Sequence, residues 1–122
     1  MITHQPHHLK QGNIAEAIAA TFLQAKGLTL LEKNFRCKHG EIDLIMMHGK
    51  TLVFIEVRLR SSEIFGGAAM SIDASKQNKL RRTAAFFLQS HANIYGDTAC
   101  RFDAILMQSL NSETAEWIQN AF

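Results

Sequence analysis

The sequence predicts an α/β domain in which a mixed β-sheet carries packed helices, in the order helix, three strands, helix, two strands. Three observations carry that expectation. Apolar residues recur at helical spacing before Lys26 and again from Ile72 to Leu88. Between them, Gly40 to Arg60 alternates like a β-hairpin and is rich in Ile, Leu, Val, Met and Phe. Two strands alone bury too little to be stable, so the hairpin must belong to a larger sheet.

Taken in order, Ile14, Ile18 and Phe22, with Ala15, Ala19 and Leu23 beside them, predict a helix from Leu9 to Lys26. Gly27 stops it at the C′ position. Glu16 falls at the edge of its apolar arc, where small neighbours (Gly12, Ala19, Ala20) leave room for a carboxylate to lean over whatever the helix covers. "LTLLEKNFRC" predicts the first strand, and 41–47 and 51–59 the hairpin. Gly66-Gly67 breaks the pattern as a loop. Ser71 or Asp73 then caps a second helix running to about Ser90, with Ile72, Leu80, Ala84 and Leu88 as its buried stripe and Lys76 on the same stripe. Phe86 and Phe87 are expected in the core. "RFDAILM" and "TAEWIQ" predict two closing strands.

At 122 residues the chain suits a single domain over residues 9–122, with residues 1–8 as a flexible N-terminal tail. A content of 47% hydrophobic and 20% charged residues excludes compositional disorder. The net charge of +2 says little about partners. All but Lys10 of the thirteen Lys and Arg lie between Lys26 and Arg101, which suits a nucleic-acid footprint or an ordinary solvated surface. Cys37 and Cys100 form no C-x-x-C pair, and two reduced thiols in a cytoplasmic protein are expected. No stretch approaches the roughly 20 apolar residues of a membrane span. His39, His48 and His91 have no zinc-ligand spacing.

The hairpin carries charges that a plain hairpin would not need. Side chains alternate faces along a strand, so Glu56 and Arg58 share one, roughly 6.6 Å apart. Val53, Ile55, Val57 and Leu59 form the opposite, wholly apolar face. On the preceding strand Glu41, Asp43 and Ile45 are expected to share a face. A two-residue turn at Gly49-Lys50 sets Asp43 opposite Glu56, whereas one at His48-Gly49 sets Glu41 there. Paired carboxylates repel unless something positive lies between them. Arg58 in a structural salt-bridge cluster supplies that charge; so does a divalent cation, since Mg²⁺ takes one or two carboxylates with waters and phosphate oxygens.

Asp43 followed thirteen residues later by Glu56-Val57-Arg58 resembles the PD-(D/E)XK nuclease superfamily. More closely, "GNIAEAIAATFLQAKG", "NFRCKHGEIDLI", "VFIEVRLR", "FGGA", "SKQNKL" and "CRFDAI", in this order, resemble the YraN family of uncharacterised bacterial proteins, whose fold is similar to Holliday-junction resolvases. The resemblance spans about Gly12 to Phe122. It implies a restriction-endonuclease-like three-layer core and a Mg²⁺- or Mn²⁺-dependent endonuclease acting on DNA, including branched DNA. It implies a metal held by Asp43, Glu56 and the Val57 carbonyl, with Glu16 in support, and a homodimer as in resolvases.

Position 58 departs from the superfamily pattern, which has lysine there. Arginine binds phosphate well but stays protonated and cannot accept a proton. A helix lying across the sheet could aim Lys76 at the carboxylates instead, as some superfamily members place that lysine on a helix; the competing reading is a lysine that snorkels to water. Arg60, Lys79, Arg81 and Arg82 would extend a basic surface for phosphates. Arg101 and Asp103 share a face, and a structural ion pair is expected. The alternative to an endonuclease is an inactive nucleic-acid-binding or partner-docking module on the same scaffold.

Overall fold

A computed structural model describes residues 7–59 and 72–122, the side chains of residues 7–11 excepted. Arg60, the Gly66-Gly67 loop, Ser71 and residues 1–6 of the expected tail lie outside the described residues. Helix α1, His7–Ala25, starts two residues before the expected boundary. It ends in a Schellman motif: Gly27 takes φ +100°, its N–H donates to Gln24 O at 3.0 Å, and Leu28 N–H donates to Leu23 O at 3.1 Å. Leu23 and Leu28, the hydrophobic pair of that motif, are both buried. A Cβ at Gly27 would meet nothing within 4 Å, so Gly27→Ala tests backbone strain alone. It is expected to cost about 1 kcal/mol, read as a lower urea midpoint at unchanged slope.

Strands β1 (Thr29–Cys37), β2 (Gly40–His48), β3 (Thr51–Leu59), β4 (Ala99–Met107) and β5 (Glu116–Ile118) form one sheet in chain order. Three of the four pairings are antiparallel; β3 and β4 run parallel. A parallel pair needs a crossover, and helix α2, Ala74–Ser90, is in it. Asp73 is its N-cap, accepting from Lys76 N–H at 2.8 Å. A one-turn helix α3, Ala92–Tyr95, and a 3₁₀ turn at Ser112–Thr114 are too short to show in the periodicity. His48 pairs with Thr51, so the hairpin turn is Gly49-Lys50. Its positive φ of 63° falls on Gly49.

The sheet is the middle of three layers. On one side Ala15, Ala19 and Leu23 of α1 pack on Leu44, Met46, Val53, Ile55, Ile105 and Met107. On the other, Leu80, Ala84 and Phe87 of α2 pack on Ile42, Ile45, Leu52 and Phe54. The apolar face of β3 thus lies under α1, and the charged face of Glu56 and Arg58 points to the α2 side. Phe86 is not core: it is 38% exposed, leaning on Phe35 and His39 with ring centroids 6.3 and 6.2 Å away.

One expected alternation fails. Ile42 and Ile45 pack under α2 while Leu44 and Met46 pack under α1, so β2 turns over between Ile42 and Leu44. Asp43 and Ile45 therefore do not share a face in the simple strand sense. The turnover occurs where the β1–β2 ladder runs through Lys33–Leu44 and Phe35–Ile42 but skips Asn34 and Asp43.

Asp103 is fully buried and ties β4 to β5 and the C-terminus. It accepts from Arg101 Nε at 2.9 Å, Arg101 Nη2 at 3.0 Å, Trp117 Nε1 at 2.9 Å and Asn120 N at 3.0 Å. Arg101 Nη2 also meets His48 Nδ1 at 2.8 Å. A buried carboxylate with all its lone pairs engaged is a structural knot, as expected for this pair.

Candidate functional site

The site grows from a split in the sheet. The β2–β3 ladder ends at Leu44–Ile55; the next pair in that register is Asp43 and Glu56. Instead of continuing the ladder, Asp43 turns its side chain across the gap and Oδ2 accepts the Val57 N–H at 2.8 Å. Strand β2 thereby parts from β3 while the Val57 amide stays satisfied.

Three carboxyl groups converge on this split from different layers. Glu16 comes from α1, Asp43 from the turnover in β2, and Glu56 from the α2-facing side of β3. Burial holds the Asp43 carboxyl far above its usual range; the charge of Glu56 and the proximity of Glu16 add to this against the Val57 N–H, and the result is about 8. Burial also raises Glu16, opposed by its polar neighbours Asp43 and Asn34. Those neighbours do not satisfy it: Glu16 Oε1 is buried and has no hydrogen-bond partner. A solitary buried acceptor beside a carboxyl that resists ionisation marks a place short of positive charge.

Glu56 is better provided for. It is 8% exposed, with Lys76 Nζ at 2.6 Å from Oε2 and Arg58 Nε at 3.8 Å from the same oxygen. Helix α2 lies across the sheet, and the N-cap at Asp73 sets Lys76 in the first turn, facing β3. The stripe lysine therefore does not merely snorkel to water; its ammonium reaches the carboxylate.

The other basic candidates divide. Lys76 and Lys79 line an open cleft of about 410 Å³ together with Gly40, Glu41 and Asp73. Arg81 stacks over Phe102 at 5.1 Å and Phe122 at 6.0 Å, so it covers aromatic side chains instead of joining the carboxylates. Arg82 is exposed on α2, and Glu41 pairs with Arg36 at 2.9 Å.

Among the described residues, no three His, Cys, Asp or Glu side chains form a ready metal cage. Asp43, Glu56 and the Val57 backbone offer oxygen donors only, two carboxylates and a carbonyl. That is the protein share of a Mg²⁺ or Mn²⁺ site completed by water and phosphate. The orphaned Glu16 Oε1 suits such a set, as an acceptor for a metal-bound water.

Asn34 is the participant that the strand pattern did not single out. It takes φ +55° in the middle of β1, opposite Asp43. The one available signal was its residue type, since asparagine enters the left-handed region more readily than other side-chain-bearing residues.

A family model described as uncharacterised protein family UPF0102 matches residues 15–107, which include Glu16, Asn34, Asp43, Glu56 and Lys76. A UPF0102 protein of Nitrosomonas europaea is 56% identical over 92% of both chains. Another from Methylobacillus flagellatus is 51% identical over 91% of this chain and 95% of its own. One from Pseudomonas syringae is 47% identical over 91% of both.

Proposed function

The chain belongs to the UPF0102 family, the YraN family that its motifs resemble, and from that premise we propose that it is a metal-dependent DNA endonuclease of the PD-(D/E)XK type. The observation that carries the reading is the convergence of Glu16, Asp43 and Glu56 on one split, with a carboxyl at Asp43 pushed up to about 8 by burial and then by the charge of Glu56. A salt-bridge cluster built for stability would have set a cation against that burial, as Arg101 does for Asp103. Bound by Asp43, Glu56 and the Val57 carbonyl, Mg²⁺ or Mn²⁺ would lower the pKa of a water and offset charge on the phosphate.

The chain's own residues do the rest. Lys76 holds an ammonium beside Glu56 and stabilises charge on the scissile phosphate, the task that Arg58 shares without accepting a proton. Lys79, Arg82 and Arg60 grip flanking phosphates, which makes binding salt-sensitive. The substrate is structured DNA, junctions or flaps, and a homodimer would bring one site to each of two strands. Action on DNA suits the cytoplasm. Among the described residues Cys37 and Cys100 are free thiols, and no helix is long and apolar enough to cross a membrane.

The test is cleavage of a four-way junction, a flap and a linear duplex in Mg²⁺ or Mn²⁺, by the wild type and by Glu56→Gln. Metal-dependent nicking of a branched substrate that falls at least about a hundredfold in the variant supports the proposal. A second reading is favoured by the two cations already on Glu56: an inactive DNA-binding module. Junction binding that weakens steeply with salt, with no nicking in either metal, would select it.

A further inference from the structure

The split between β2 and β3 has a cause in the neighbouring strand. Lys33 pairs with Leu44 and Phe35 with Ile42, yet Leu44 packs under α1 and Ile42 under α2. In a regular strand residues two apart share a face. Both strands therefore turn over together at the Asn34–Asp43 step. Asn34, at φ +55°, is where β1 makes that turn, in the way a bulge re-aims the side chains around it. Without it, Asp43 would continue the ladder opposite Glu56 and its carboxylate would not reach the Val57 N–H at 2.8 Å.

We infer that Asn34 is a positioning residue for the carboxylate site, its left-handed backbone turning Asp43 out of the sheet. That the carboxylates so placed hold a metal rests on the reading above; the role of the backbone does not. Asparagine suits the position because it enters the left-handed region more readily than other side-chain-bearing residues, whereas alanine is strained there.

Two variants test the backbone's part. Asn34→Gly keeps the backbone freedom; Asn34→Ala strains it. In the metal-free protein, Asn34→Gly is expected to leave hydrogen exchange at the Val57 amide close to wild type, while Asn34→Ala speeds it at least about tenfold. Failure of Asn34→Ala to fold while Asn34→Gly folds would support the backbone role equally. In Mn²⁺ titrations followed by calorimetry, Asn34→Ala is expected to bind about tenfold or more weakly than wild type and Asn34→Gly close to it, the effect of misplacing one member of a ligand set. Unchanged Val57 exchange in a folded Asn34→Ala overturns the backbone role. A wild type that binds no Mn²⁺ would sink the metal-site reading alone, leaving Val57 exchange to decide the role of Asn34.

Discussion

Asp43→Asn is expected to make the metal-free protein more stable and to remove its metal site. The carboxyl of Asp43 is held at about 8 in the folded chain against an ordinary 3.8. A carboxyl with a raised folded pKa contributes stability that is full below the unfolded value and is lost as the pH climbs through the folded one. The wild type therefore weakens steadily between about pH 4 and pH 8. An asparagine keeps the geometry: its carbonyl can accept the Val57 N–H and its amide can donate toward Glu16. It never has to ionise. The variant should gain about 4 kcal/mol at pH 7, with almost no gain near pH 4 and the full gain above pH 8.

The metal acts in the opposite direction. Mn²⁺ at a hundred times its dissociation constant would stabilise the wild type by about 2.7 kcal/mol and leave the variant unmoved, its affinity lower by about a hundredfold or more. Urea midpoints at pH 4.5, 7 and 8.5, with and without Mn²⁺, decide the matter. A less stable variant at every pH would mean that Asp43 is an ionised member of a stabilising network, and the metal-site reading would lose its main support. Sacrificed stability at one residue is the mark of a site held ready for a ligand.

Much of this arrangement is legible in the residues, and the illegible part has a physical reason. The strands at 41–47 and 51–59 announce themselves by alternation, and Ile72, Leu80 and Ala84 announce the buried face of α2. The register that nearly pairs Asp43 with Glu56 follows from turn length once Gly49-Lys50 is chosen over His48-Gly49; the sequence leaves both open because either pair contains the glycine. The turnover at Asn34 and Asp43 is invisible to periodicity, since a single residue off the ladder changes the face of everything beyond it without altering the pattern of residue types. Besides the asparagine itself, Ile42 and Ile45, on one face at a spacing of three, are its trace. Phe86 was misplaced for a related reason. Helical spacing places it beside Phe87, but only the position of the β1–β2 turn shows that it lies at the rim of the aromatic cluster. Lys76 was legible as an anomaly on an apolar stripe, while its contact with Glu56 depended on the tilt of α2 across the sheet.

Lys76→Met is expected to lower DNA cleavage by about 10²- to 10³-fold, the usual cost of removing one donor aimed at developing charge. Arg58→Lys, which restores the superfamily residue, should change the rate by less than about tenfold, because the ammonium is already supplied from α2. The geometry explains the asymmetry. Lys76 Nζ is 2.6 Å from Glu56 Oε2, whereas Arg58 Nε stands off at 3.8 Å, where it contributes charge but no close hydrogen bond. The stability cost of Lys76→Met should stay near 1 kcal/mol, since the lysine side chain is 46% exposed and Glu56 keeps Arg58 as a neighbour. Loss of activity without loss of fold is therefore the expected signature, read by junction nicking beside a urea melt of the same preparation. The reverse pattern, with Arg58→Met inactive and Lys76→Met near wild type, would give the phosphate-facing role to the arginine. Lys76 would then be an ion-pair partner that holds the nearly buried Glu56 in place, and the helix lysine would no longer stand in for the one missing from β3.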